Sequence, residues 1–221
     1  MKMNREWLLN ILFPPRCPFC GTVISSDETT CQDCSSIEID NLIRLMPLKE
    51  QMSLCCYAAY WYQGVVRQAI LRMKFKEEPS ICTFFGKSVA KIVRERLPDM
   101  TFDAVTAVPM TRLHQMRRGY NQSILIAKSA ARELHLPYRN CLRKVRHNRI
   151  QHRLTAEERR KNVRGAYCAL PCAAGLKLLL VDDIVTTGAT LSECTQQLLN
   201  AGAVQVVCAA TASSVPEKAT D

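Results

Sequence analysis

The sequence predicts an α/β protein, a parallel sheet with helices on both faces, behind a small N-terminal cysteine module. Short apolar runs of strand length alternate with longer segments of helical periodicity from Leu54 onward, which is the pattern of repeated strand-helix units. Two Cys-x-x-Cys hooks stand before that alternation begins, in a stretch rich in turn formers. The length of 221 residues allows one full core and a small appendage.

Residues 1–45 read as the cysteine module and 50–215 as the α/β domain, with Ile39 to Gln51 a connector carrying Pro47 near its middle. Ahead of the cysteines, Trp7-Leu8-Leu9 reads as a short apolar helix. It is no signal peptide, because Asn10 and Pro14-Pro15 interrupt it and no small-residue cleavage site follows. In the domain, Leu54 to Tyr60 reads as a strand and Gly64 to Lys74 as a helix with Val66, Ile70 and Met73 on one face. A second helix follows over Ile81 to Leu97. Ala104 to Val108 is a short strand closed by Pro109; a basic loop follows, then a helix from about Asn121 to Leu134. The plan repeats in Leu176 to Val181 as strand, Asp182 to Gly188 as loop and Ala189 to Ala201 as helix. Gly202 then caps that helix and Val204 to Ala210 forms the final strand, with a frayed tail after Ser213.

Hydrophobic residues make up 48% and charged residues 23%, the balance of a folded chain rather than a disordered one. No apolar run approaches the roughly 20 residues a membrane helix needs, so membrane insertion is not expected. Twelve cysteines without a disulfide framework point to a reducing, cytoplasmic setting. The formal charge of +10 points to a polyanionic partner, and it is concentrated. Residues 139–164 hold ten Arg or Lys against Glu157 and Glu158, and Arg112, Arg117 and Arg118 cluster before Gly119.

Cys17, Cys20, Cys31 and Cys34 form two identical hooks ten residues apart, which suits tetrahedral structural zinc with no open coordination position. The competing reading, a redox pair or disulfide, needs a strand before the hook and a helix after it, and that context is missing. Cys55-Cys56 and Cys168-x-x-x-Cys172 read as small apolar residues rather than ligands.

The segment Leu178 to Thr190 carries most of the chemistry. It places Asp182 and Asp183 at the carboxyl end of a strand, where open α/β sheets bind ligands, and opens a helix whose N-terminal amides favour a phosphate. Gly188 lets the backbone approach an anion, Ala189 starts the helix, and Thr186, Thr187 and Thr190 add hydroxyls. A ribose 5-phosphate fits: the acids toward the 2- and 3-hydroxyls, the loop around the phosphate. A Walker loop would need Lys after the glycine and a dinucleotide fingerprint three glycines; neither is present. A phosphoacceptor receiver would carry its acidic pair after the first strand. Helix capping alone explains a threonine but not the paired Asp.

This motif resembles the phosphoribosyl pyrophosphate (PRPP) binding motif of type I phosphoribosyltransferases, and the wider chain resembles ComF-type proteins. The resemblance runs through Leu12-Phe13-Pro14 with the four cysteines, Leu71-x-x-Lys74-Phe75, Val108-Pro109-Met110 and Arg118-Gly119-Tyr120-Asn121-Gln122. It continues in Gln151-x-x-Leu154, Arg160-x-Asn162 and the Asp182 loop. It implies a type I phosphoribosyltransferase-like fold and a role in handling imported DNA in natural competence. The activity it implies is transfer from magnesium-bound PRPP, the magnesium arriving with the substrate. Arg117 and Arg118 stand where such enzymes contact pyrophosphate, although Pro109 replaces the usual tight turn there. Residues 141–164 resemble a lid, with Gln151, Arg153, Arg160 and Asn162 as contacts. The same cations could grip DNA phosphates, single-stranded DNA included, but only Tyr138 and Tyr167 nearby suit base stacking, which argues against a dedicated single-strand groove. The alternative function is a non-catalytic adaptor that couples the zinc module to DNA-uptake machinery, with a helicase as partner.

Overall fold

The computed structural model describes residues 13–48, 53–75, 78–146 and 156–214, with backbone alone at 156, 157, 159 and 160. Its strands are β1 (Leu42–Pro47), β2 (Ser53–Trp61), β3 (Ala104–Ala107), β4 (Leu142–Lys144), β5 (Tyr167–Ala169), β6 (Lys177–Val185) and β7 (Gln205–Ser213). Its helices are α1 (Gly64–Phe75), α2 (Ser80–Arg96), α3 (Arg112–Arg118), α4 (Gln122–Glu133), α5 (Ala156–Val163) and α6 (Ala189–Asn200). The main sheet runs β1-β2-β7-β6-β3. Its last four strands are parallel; β1 lies antiparallel on β2, which makes the sheet mixed.

The centre of that sheet follows from β6, where Leu178, Leu179, Leu180 and Val181 are all fully buried. Successive side chains of a strand point to opposite faces, so a run apolar at every position must be covered on both. Leu179 and Val181 pack with Ile70 and Met73 of α1, Phe85 and Val89 of α2, and Ile126 and Ala130 of α4. Leu178 and Leu180 pack on the other face with Leu191, Cys194 and Leu198 of α6 and with Leu142 and Tyr167 of the small β4-β5 pair.

Three segments differ from expectation. The connector contains β1, because Pro47 sits on an edge strand, where a missing N–H costs no ladder bond. The basic loop contains α3, framed by Thr111, whose hydroxyl accepts from the His114 N–H, and by Gly119 at φ 75°. None of its residues is buried, so it carries no apolar periodicity to read. Finally, β6 runs on through Asp182 and Asp183 to Val185 instead of ending at Val181. Neighbouring β7 continues alongside and pairs Asp182 with Ala210 and Val185 with Ser213. The N-terminal helix expected around Trp7 lies outside the described residues. Among the described residues no helix is long and apolar enough to cross a membrane.

Candidate sugar-phosphate site and zinc module

The two acids end β6 under different constraints. Asp182 is buried; its carboxylate accepts from the Ser123 hydroxyl at 2.8 Å and from the Asp183 N–H at 2.9 Å. Asp183 pairs with Lys74 of α1 at 2.8 Å, both side chains mostly buried. Burial pushes the Asp182 carboxyl up to about 7, the Asp183 charge adds to this, and the Ser123 hydrogen bond opposes it. Near neutral pH Asp182 therefore stands between accepting a hydrogen bond from a sugar hydroxyl and donating one.

This shift has a stability consequence. An Asp in the unfolded chain titrates near 4, so between about pH 4 and 7 the folded state holds the extra proton. The cost of ionising Asp182 is absent below that window and fully present above it, so stability falls as pH rises through it. Asp182→Asn is expected to melt higher than the parent at pH 8, by about 1–3 kcal/mol, with the gain vanishing toward pH 4. Thermal melts across that range check it; a pH-independent difference would contradict the assignment.

Beyond β6 the loop Thr186 to Gly188 turns into α6. Gly188 is its N-cap at φ 76° and supplies no side-chain cap, while the Thr187 hydroxyl accepts from the Ala189 N–H. The contrast with α3 and α4, capped by Thr111 and Asn121, is informative. Beyond the Ala189 N–H, the first turn of α6 receives no cap from its N-cap residue. A cavity of about 110 Å³ lies there, lined by Asn162, Asp182, Thr186, Thr187, Gly188 and Thr190 among others. The Tyr167 hydroxyl meets Thr190, and Lys144 sits 5.1 Å from the Tyr167 ring, its pKa lowered by burial.

The structure thus gathers Asp182, the Thr186 to Thr190 loop and Asn162 around one cavity, with Asp183 beside it. Arg117 and Arg118 lie on α3 and are not among the cavity's lining residues. Arg117 is exposed; Arg118 donates to Gln122 at 3.2 Å and lies 5.2 Å over the Phe75 ring. Gln151, Arg153 and the Arg160 side chain fall outside the described residues. Two groups that the sequence reading left without a role touch the acids directly, Ser123 and Lys74. Both adjoin or belong to quoted motif segments, the only signal that could have found them.

In the cysteine module all four sulfurs lie within 4.8 Å of one another, and Cys20 and Cys31 are 3.5 Å apart. Tetrahedral Zn–S bonds of about 2.3 Å place sulfurs about 3.8 Å apart, so the set fits zinc. Burial pushes the Cys31 and Cys34 thiols up, so thiolates there need a cation beside them. The first hook also enters the main core. Phe19 is 1% exposed and packs edge-on against Tyr60, Phe84 and Phe85.

Residues 8–39 match the double zinc ribbon domain family and residues 121–220 the phosphoribosyl transferase domain family. Over 198 residues the chain is 38% identical to the DNA utilization protein YhgH of Salmonella typhimurium, covering 87% of this chain and 82% of that one. It is 28% identical over 200 residues to competence protein F of Haemophilus influenzae, covering 86% and 82%. A crystal structure of adenine phosphoribosyltransferase aligns over 79% of this chain and 85% of its own, at 14% identity and a TM-score of 0.44. The chain belongs to the family of competence protein F and the DNA utilization protein YhgH, an α/β phosphoribosyltransferase-type domain behind a zinc ribbon.

Proposed function

We propose that the chain is a phosphoribosyltransferase that uses magnesium-bound PRPP in the utilisation of imported DNA. The zinc-bearing docking module expected over residues 1–45 gives up β1 (Leu42–Pro47) to the main sheet, and the domain expected over 50–215 carries the pocket. The observation that carries this reading is the start of α6, where the N-cap Gly188 offers no capping side chain, on a cavity lined by three threonines and Asp182. In the reaction the acceptor attacks the anomeric carbon, the bond to the pyrophosphate oxygen breaks, and pyrophosphate leaves with the electron pair. Asp182 and Asp183 hold the ribose hydroxyls and the Thr186 to Thr190 loop holds the 5-phosphate. Arg117 and Arg118 offset pyrophosphate charge, and Gln151, Arg153, Arg160 and Asn162 close over the sugar. Magnesium arriving with the pyrophosphate would supply charge stabilisation of the leaving group, while Asp183 is paired to Lys74. A cytoplasmic setting, which keeps thiols reduced, suits a chain of twelve cysteines of which four are zinc ligands.

One observation favours the second reading, a non-catalytic adaptor: neither Arg117 nor Arg118 lines the cavity. In that reading the basic residues 139–164 hold DNA phosphates and the zinc module docks a helicase of the uptake machinery. Calorimetric titration of magnesium-PRPP into the zinc-loaded protein decides between them. Micromolar binding that Asp182→Asn, Asp183→Asn abolishes supports the transferase. No binding by the parent, together with DNA affinity that falls steeply with salt, supports the adaptor.

A further inference from the structure

The last turn of α1 is held from three directions by consecutive residues. Arg72 grips the first zinc hook: its guanidinium donates to the carbonyls of Phe19 at 2.8 Å, Pro18 at 3.0 Å and Cys17 at 3.4 Å, and it pairs with Glu78 at 3.2 Å. The Met73 carbonyl accepts from the Tyr120 hydroxyl of the segment that follows α3. Lys74 holds Asp183 at 2.8 Å. The Arg72 side chain is 14% and the Lys74 side chain 18% exposed, so neither contact is a loose surface pair.

A planar guanidinium that satisfies three carbonyls of one turn reads the shape of that turn, which a metal shared by Cys17 and Cys20 would hold beyond its own backbone hydrogen bonds. Two residues later the same rigid helix delivers the ammonium that compensates the acidic pair. We propose that Arg72 is a positioning residue that couples the two sites: through α1 the loaded zinc hook sets Lys74 on Asp183 and thereby tunes the sugar-phosphate pocket. This rests on the phosphoribosyl reading of that pocket. Loss of the zinc-side grip frees Lys74 to leave Asp183. The two carboxyls then face an incoming polyanion with less compensation, and affinity drops.

The test uses the full chain loaded with zinc, with thermal melts confirming a folded state and Arg72→Lys replacing Arg72→Met should the latter not fold. Magnesium-PRPP is expected to bind Lys74→Met and Arg72→Met about 5–20-fold more weakly than the parent. The double variant is expected to be no weaker than Lys74→Met alone, because both changes act through one contact. Parent affinity in Arg72→Met, or a double variant that loses the product of the two effects, overturns the coupling. A parent protein that binds no PRPP removes the transferase reading and leaves the coupling to be read from the metal side. Zinc release to a chromogenic chelator should then be several-fold faster in Lys74→Met, a residue with no contact to the hook. An unchanged release rate overturns the coupling there too.

Discussion

Chelating the zinc should lower the melting temperature of the whole chain, in one transition, rather than melt its first 40 residues separately. Four thiolates around zinc supply about 10–16 kcal/mol of folding free energy in small modules, so the hooks lose their shape when the metal leaves. In this chain that shape holds Phe19, which lies between Cys17 and Cys20 and is buried against Tyr60, Phe84 and Phe85 of the main domain. Withdrawing an aromatic ring from a close-packed core costs about 3–5 kcal/mol. The Arg72 bonds to the hook go with it. Phe19→Ala with zinc still bound separates the two contributions. It should remove about 3–5 kcal/mol, or roughly 6–20 °C in a chain of this size, while zinc content stays at one per chain. Calorimetry with and without chelator gives the comparison. A second transition at the parent temperature after chelation would show the module to be an independent appendage.

That dependence was only half legible in the sequence. The hooks declare themselves by spacing, because metal geometry demands ligands in pairs, and α2, α4, α6 and the apolar part of β6 declare themselves by periodicity. The tie between module and domain is a contact between Phe19 and residues far along the chain, and nothing local encodes it. β1 was hidden for a different reason: as an edge strand it leaves Ile43 and Leu45 exposed and tolerates Pro47, so it reads as a connector. Charges rarely lie within a strand, so the acidic pair reads as the start of a loop. Here β7 extends beside β6 and keeps both residues in the ladder or next to it. The motif residues lie together between β6 and α6 and line one cavity, since their types are dictated by local geometry. The partners of the acids, Ser123 and Lys74, come from two helices and are set by how those helices pack.

Gly188 joins the local and the long-range requirements in one residue, and its replacement should be the most damaging single change at the site. At φ 76° it occupies the left-handed region, where a side chain costs about 1 kcal/mol. A Cβ there would also lie 2.3 Å from the sulfur and 2.4 Å from Cγ of Met46, a residue of β1 that is 1% exposed. Neither side can yield without moving β1 or the threonine loop. Gly188→Ala is therefore expected to lose about 2–4 kcal/mol of stability. A displacement of about 1 Å in the loop would cost on the order of 100-fold in phosphate-dependent binding or turnover. Gly119→Ala supplies the control: φ is 75°, yet nothing lies within 4 Å of the added carbon, so only the conformational cost of about 1 kcal/mol should appear. Adding Met46→Ala to Gly188→Ala removes the overlaps with the sulfur and Cγ, leaves only the contact with the Met46 Cβ at 2.9 Å, and retains the strained backbone. Ligand affinity should recover in that background even though stability does not, because the cavity left at Met46 carries its own cost. Should Gly188→Ala behave like Gly119→Ala in both melts and titrations, the close approach of β1 to the loop would not constrain the site.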